Sequence, residues 1–276
     1  MFVRFWRIEL AVFVMVLVSA HRARAWEGPG DTRTLPCRPT IACTADLVTP
    51  GALELEAGAL YRRLGADGRQ WTLPFLAKLT LAEWFQLQFG SNGYTVSRGD
   101  VRSNFQDDLE IGGKVHFLDQ GALAPSLSAS ALASIPTFRA TGYARTYDAL
   151  FTLYASKDLG PWHGDLNIGE NVWRVEGSPR PQEYAAFAVS RELVPPFGVM
   201  AEVYGFSGAL PIATRDGGFL FAISHSPKPW LMFDFGGDLG FFPAVRKYSA
   251  FFGVSLVPAL LWTPKRAEPE PPESER

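Results

Sequence analysis

From Ala52 onward, apolar side chains fall at every second position, in segments of about ten residues bounded by Gly, Pro, Asp or Asn. Leu53, Leu55, Ala57, Ala59 and Tyr61 alternate with Glu54, Glu56 and Gly58, and Phe85, Leu87 and Phe89 alternate with Trp84, Gln86 and Gln88. Further on, Leu109, Ile111, Val115 and Phe117 alternate with Asp108, Glu110, Lys114 and His116, and Phe233, Phe235 and Leu239 with Asp234, Gly236 and Asp238. In a strand a period of two places each set on its own face. Segments near 70–79, 124–136, 147–158, 163–174, 182–193, 197–208, 217–226 and 248–262 read the same way, which makes about twelve strands, an even number as bacterial barrels have. A soluble sandwich or lipocalin-like barrel keeps its apolar face inside and its polar face in water. Here the polar face carries charges in mid-strand, which no two-sided core accepts. The pattern therefore predicts an all-β fold: a transmembrane antiparallel up-and-down β-barrel, apolar toward lipid and polar toward its lumen.

The connections alternate in kind. Tight ones are predicted at 80–82, 119–123, 159–162, 194–196 and 227–229, and longer, more polar ones at 62–70, 91–105, 137–146, 175–181 and 209–216. Short periplasmic turns and longer outer loops produce this alternation, and an even strand count puts both ends of the barrel's chain in the periplasm. Trp84, Trp162, Trp230 and Trp262 fall at the periplasmic ends and Trp71 and Trp173 at the outer ends, as two interfacial aromatic belts would require. Residues 51–262 are accordingly assigned to the barrel. The final predicted strand is apolar and aromatic at alternate positions, from Phe252 to Trp262, with Pro258 interrupting it. Residues 263–276 are a Pro- and Glu-rich tail whose composition predicts disorder.

At the other end, Arg4 and Arg7 precede an apolar run from Ile8 to Ser19, and Ala23-Arg24-Ala25 has the small-x-small form of a cleavage site. Residues 1–25 are thus expected to be a signal peptide, the run being too short to span a bilayer. Export places Cys37 and Cys43 in an oxidising compartment, where they are expected to close a small disulfide loop. Residues 26–50 are left as a periplasmic segment available to plug or gate the lumen. The remaining His residues of the exported chain, His116, His163 and His225, are far from the two Cys, so no metal site is expected.

Composition narrows the classes further. Hydrophobic residues make up 47% of the 276 and charged ones 20%, which excludes a disordered chain, while a mean hydropathy of +0.02 is low for a polytopic helical protein. The 26 Lys and Arg against 28 Asp and Glu give a net charge of -2, offering no electrostatic case for nucleic acid.

The stretch from Pro74 to Leu87, Glu54-Leu55-Glu56-Ala57-Gly58, Leu193 to Gly205 and Asp234-Phe235-Gly236-Gly237-Asp238-Leu239-Gly240 carry a further signal. They resemble the strands and turns of an outer-membrane barrel family named for the meta-pathway of phenol degradation. The resemblance covers the barrel and leaves out residues 26–50 and the tail. It implies a transporter of the Gram-negative outer membrane and brings no catalytic or binding residues with it.

Enzyme chemistry is not expected. An outer-membrane phospholipase would carry His and Ser two apart on one strand face, whereas His225 and Ser226 are adjacent and point to opposite faces. The omptin-like alternative would need acids and a His-Asp pair at one rim, whereas the predicted topology puts Asp107 and His163 at opposite ends. Two functions remain: a porin-like passive channel for small solutes, apolar or aromatic ones included, or a closed structural barrel whose outer loops meet partners. No cofactor is expected. Period two puts Glu54, Glu56, Asp108, Glu110, Lys114, His116, Asp165, Glu202, Asp234 and Asp238 on the lumen face, an acidic lining that would favour cationic and neutral solutes. The barrel's partners are the lipid bilayer and lipopolysaccharide. Arginines cluster in each upper connection, Arg246 among them, and Arg139, Arg145, Arg174 and Arg180 are expected to meet lipopolysaccharide phosphates, which suit their planar, bidentate donors.

Overall fold

The computed structural model describes residues 29–30, 32–99, 102–137, 147–175, 178–209 and 214–263. The signal segment 1–25, Arg139, Arg145 and the tail beyond residue 263 lie outside the described residues. These hold β1 (Ala52–Leu64), β2 (Arg69–Ala82), β3 (Phe85–Arg98), β4 (Ser103–Gln106), β5 (Leu109–Leu118), β6 (Ser126–Ile135) and β7 (Asp148–Leu159). They continue with β8 (Trp162–Val175), β9 (Ser178–Val194), β10 (Phe197–Phe206), β11 (Asp216–Lys228), β12 (Leu231–Gly240) and β13 (Arg246–Leu260). Each strand pairs antiparallel with its neighbours, and β1 pairs with both β2 and β13, so the sheet closes on itself. β4 and β5 pair in succession along β3 and form one stave broken at Asp107-Asp108, so the closed barrel has 12 strands.

Burial follows the period-two pattern. Glu54, Lys78, Gln86, Lys114 and Asp234 are buried inside, while Leu87, Phe117, Phe151, Phe219 and Phe235 are exposed on the outside. Closure removes every strand edge within the bilayer, where an unpaired backbone group would cost several kcal/mol. Most turns alternate as predicted: residues 83–84, 160–161, 195–196 and 229–230 join strands tightly at the end where the chain enters, although residues 119–125 there form a longer connection, and the connections at the other end are wider except between β8 and β9.

Some expectations need correction. The connection assigned to 91–105 is mostly strand: β3 runs on to Arg98, and Tyr94 to Ser97 pair with Ser103 to Gln106. Gly93, at φ +69, makes a bulge opposite Leu73, where a Cβ would overlap the Leu73 carbonyl, so the Ser-Asn-Gly at 91–93 kinks a strand instead of ending one. The connection assigned to 175–181 shrinks too, because β9 starts at Ser178 with Pro179 and Pro181 in its ladder. The pairing of β10 with β9 stops at Tyr184, so those prolines lie on an unpaired flank and forfeit no ladder bond there. Pro258 does not end β13 and lies at a register shift against β1. Two of the six tryptophans leave the belts. Trp173 donates its Nε1–H to the buried Gln182 at 3.2 Å, and Trp230 packs against Val48, Ala52 and Val257.

Candidate functional site

The chain ahead of β1 lies inside the barrel. It makes no strand ladder of its own, so its buried amides need partners from side chains. Thr34 N–H donates to the Pro229 carbonyl at the β11–β12 turn (3.0 Å), and from there the segment is held by the wall. Leu35 N–H donates to Glu54 (2.9 Å), and the N–H groups of Cys37 and Arg38 both donate to Glu56 (3.0 and 3.1 Å). Ile41 and Ala42 N–H donate to Glu202 (2.9 and 2.6 Å), and Ala45 N–H to Ser156 Oγ (2.6 Å). With its amide oxygen facing Cys43 N–H, Asn167 accepts at 2.7 Å and donates to the Cys43 carbonyl at 2.9 Å. The carbonyls are covered in turn: Lys78 donates to Leu35 O (2.7 Å), Lys114 to Thr44 O and Ser128 to Ala45 O. Cys37 and Cys43 form a disulfide across a Cα separation of 4.4 Å. Ala42, at the turn of that loop, packs on Ala186, Ala188, Tyr204, Leu220 and Ala222.

These contacts span the lumen. Glu54 stands on β1 and Asn167 on β8, which face each other across the ring of staves. Each holding residue lies in the half of its strand nearer the start of β1 or in its middle, so the segment crosses the half of the lumen where the chain enters.

Charge inside is largely paired. Lys78 Nζ lies 2.7 Å from Glu54 and from Glu56. Arg38, carried by the segment, reaches Asp234 through Nη2 at 3.2 Å and Nε at 3.3 Å. Arg246, expected on the outer rim, is buried: it bridges Asp216 (3.1 Å) and Asp238 and donates to Tyr204 OH (2.6 Å). A register shift opposite Leu64, at the start of β13, brings it inward. Arg38 and Arg246 thus add two cations that the alternation alone does not place in the lumen. Arg174 and Arg180 are exposed where β8 ends and β9 begins, at the rim opposite the start of β1. Glu110 is half-buried on the inner face, whereas Asp108 lies at the β4–β5 break and accepts from Thr137 N–H at 3.0 Å, so it holds the β6–β7 connection.

Two histidine clusters sit near the rim where the chain enters. His163 joins Asp158 (2.6 Å) and Asp165 (3.1 Å), and Ser156 donates to Asp165 (2.6 Å), not to the imidazole. His116 contacts Asp119 (2.9 Å) and Ser128 (3.1 Å). Because Ser128 gives its one proton to Ala45 O, it can only accept from His116. Neither serine is therefore activated as a nucleophile here.

Beyond the segment the lumen is lined differently. Tyr184 and Tyr204 face inward from β9 and β10, with Tyr184 OH 2.6 Å from Thr152 and its ring stacked on Phe206, while Tyr154 on β7 lies at the level of Asn167, its ring against Lys114 and its OH 2.7 Å from Ser130. A cavity of about 500 Å³ opens at the rim between the β10–β11 and β12–β13 connections, walled by Phe206, Phe241, Phe242, Arg215 and Asp216. Arg38, Ser126, Ser128, Ser156 and Asn167 were not singled out as site residues. The run Ser126, Ser128, Ser130, small polar groups at alternate positions of one strand, is the signal that could have marked a wall fitted closely to something inside.

No family model matches the chain, and no curated protein matches it. Among solved structures, it is similar to an outer membrane channel from Pseudomonas putida F1, with a TM-score of 0.58 and 13% identity over 83% of this chain and 98% of that one. It is also similar to the NanC porin, with a TM-score of 0.51 and 9% identity over 74% of this chain and 99% of the porin. The fold is that of an outer-membrane barrel. At these identities the likeness is one of architecture, and the resemblance to the phenol-degradation family stays with the strand and turn motifs that carry it.

Proposed function

We propose that the protein is an outer-membrane channel for small solutes, held closed at its periplasmic half by its own residues 32–50. The single observation that supports this most is the seating of that segment: its backbone is bonded to opposite staves by side chains of the wall, without joining the sheet. Bonds from wall side chains can be given up without breaking a strand ladder, which suits a removable plug. In this reading Glu54, Glu56, Glu202, Asn167 and Ser156 are plug holders, residues 1–25 direct export, and Arg174 and Arg180, with Arg139 and Arg145, meet lipopolysaccharide. The inward tyrosines and Phe206 suit apolar, aromatic or planar cationic solutes.

The second reading, a closed structural barrel, is favoured by the buried Arg246, Asp216 and Asp238 cluster, which fills part of the outer lumen. Single-channel recording of the mature protein and of a variant lacking residues 26–46 separates the two. A plugged channel shows rare openings that become frequent on deletion; equal silence in both supports the closed barrel and refutes the channel.

A further inference from the structure

The row of residues under Arg38 is built for a planar cation. Gly58, Gly253 and Asp234 are direct cross-strand partners on the three adjacent staves β1, β13 and β12. A Cβ at Gly58 or at Gly253 would overlap the Arg38 guanidinium, so two bare glycines form a flat floor on which it lies. Asp234, fully buried, stands at the end of that floor and takes Nε–H and an Nη2–H on its two oxygens. Two residues further along β13, Ser255 is fully buried with a hydroxyl that has no hydrogen-bond partner among the described residues.

All of these groups belong to the wall, whereas the guanidinium comes from the removable segment. We propose that Gly58, Gly253 and Asp234 form a guanidinium-binding site, which Arg38 fills from within the chain and which a guanidinium-bearing solute fills when the segment withdraws. This rests on the plug reading and adds the class of solute that competes with the plug. The chemistry selects guanidinium over ammonium. A planar ion with two parallel N–H donors matches one carboxylate and a flat floor, while an ammonium directs three donors around a sphere and leaves the floor unfilled. Arg38 is then an internal stand-in for the solute, and Asp234, which would be a costly unpaired charge once bared, supplies the drive to rebind one or the other. Ser255 offers a further polar contact to a substituted guanidinium.

The test is chemical rescue in the full mature protein. Arg38→Ala empties the cradle and keeps the disulfide loop and the bonds to Glu56 and Glu202. The variant should open several-fold more often in planar bilayers. Methylguanidinium at millimolar concentration, as befits so small a ligand, should return it to the wild-type level, while methylammonium should not. Adding Gly253→Ala should abolish the rescue. Binding is also read without current: methylguanidinium should raise the temperature at which the folded band of Arg38→Ala is lost on detergent gels and leave the wild type unchanged. Methylammonium acting equally well, or rescue and thermal shift persisting with Gly253→Ala, overturns the cradle and leaves the plug standing. A thermal shift with no change of current in Arg38→Ala or in the 26–46 deletion keeps the cradle and overturns the plug.

Discussion

Removing Glu202 should loosen the segment at the turn of its disulfide loop. The carboxylate accepts from Ile41 N–H at 2.9 and 3.0 Å and from Ala42 N–H at 2.6 Å, and the residue is 1% exposed. A hydrogen bond to a charged group contributes about 1.5–3 kcal/mol, so two donors lose roughly 3–6 kcal/mol in Glu202→Ala. The truncation also makes room in a polar lumen, and water there recovers part of the loss. A net of about 2–4 kcal/mol remains, which at 1.4 kcal/mol per tenfold shifts the seated-to-released equilibrium by roughly 30- to 700-fold. Glu202→Gln keeps one acceptor oxygen but loses the charge, and should cost about 1–1.5 kcal/mol, or roughly tenfold. The assay is hydrogen exchange at the Ile41 and Ala42 amides in detergent micelles, with open probability in planar bilayers alongside. Exchange of those two amides within about threefold of wild type in Glu202→Ala would show that they are held by something else and refute the reasoning.

Cys37 and Cys43 should resist maleimide until reduced; labelling of the non-reduced protein would contradict the disulfide. Arg246→Ala strands the buried Asp238 carboxylate and should lower barrel stability by about 3–5 kcal/mol, seen as an earlier loss of the folded band on heating, whereas an unchanged profile would show that Asp238 finds another partner. The unboiled protein should migrate faster than the boiled one on detergent gels, because the closed ladder unfolds slowly and as a unit; a detergent-labile band would contradict the fold. Charge reversal at Arg139 and Arg145 should reduce lipopolysaccharide co-purification, with Arg174 and Arg180 reversed as a second pair, and unchanged lipid content in both would count against a basic rim.

The barrel was legible in the sequence because lipid on one side and a polar lumen on the other impose a strict alternation, and Phe85-Leu87-Phe89 against Gln86-Gln88 survives any local variation in turns. The errors cluster where that constraint lapses. At the end away from the start of β1, β3, β8 and β9 run on as strands whose composition is that of turns, so Ser91-Asn92-Gly93 and the prolines after Val175 read as loops although they are paired. The lumen face was legible as a face, but not what it faces. Counting Glu54, Glu56, Glu202 and Asp234 as lining acids misses that each accepts from or pairs with residues 35–42, because a segment without periodicity carries no sign of where it lies. Arg246 was misplaced for a related reason: period two predicts a side only within a regular ladder, and it sits just past a register shift.

The seat of Arg38 straddles the seam between the first and last staves, with Gly58 on one side of it and Gly253 and Asp234 on the other. Until that seam joins, the seat is in two halves at opposite ends of an open sheet, and Arg38 has no complete cradle. A barrel that stalls a strand short, or zips β13 out of register against β1, would hold the arm without that anchor, and the arm would be more open to proteases than in the closed barrel. Full seating of the arm would therefore report that the first and last staves have met in register.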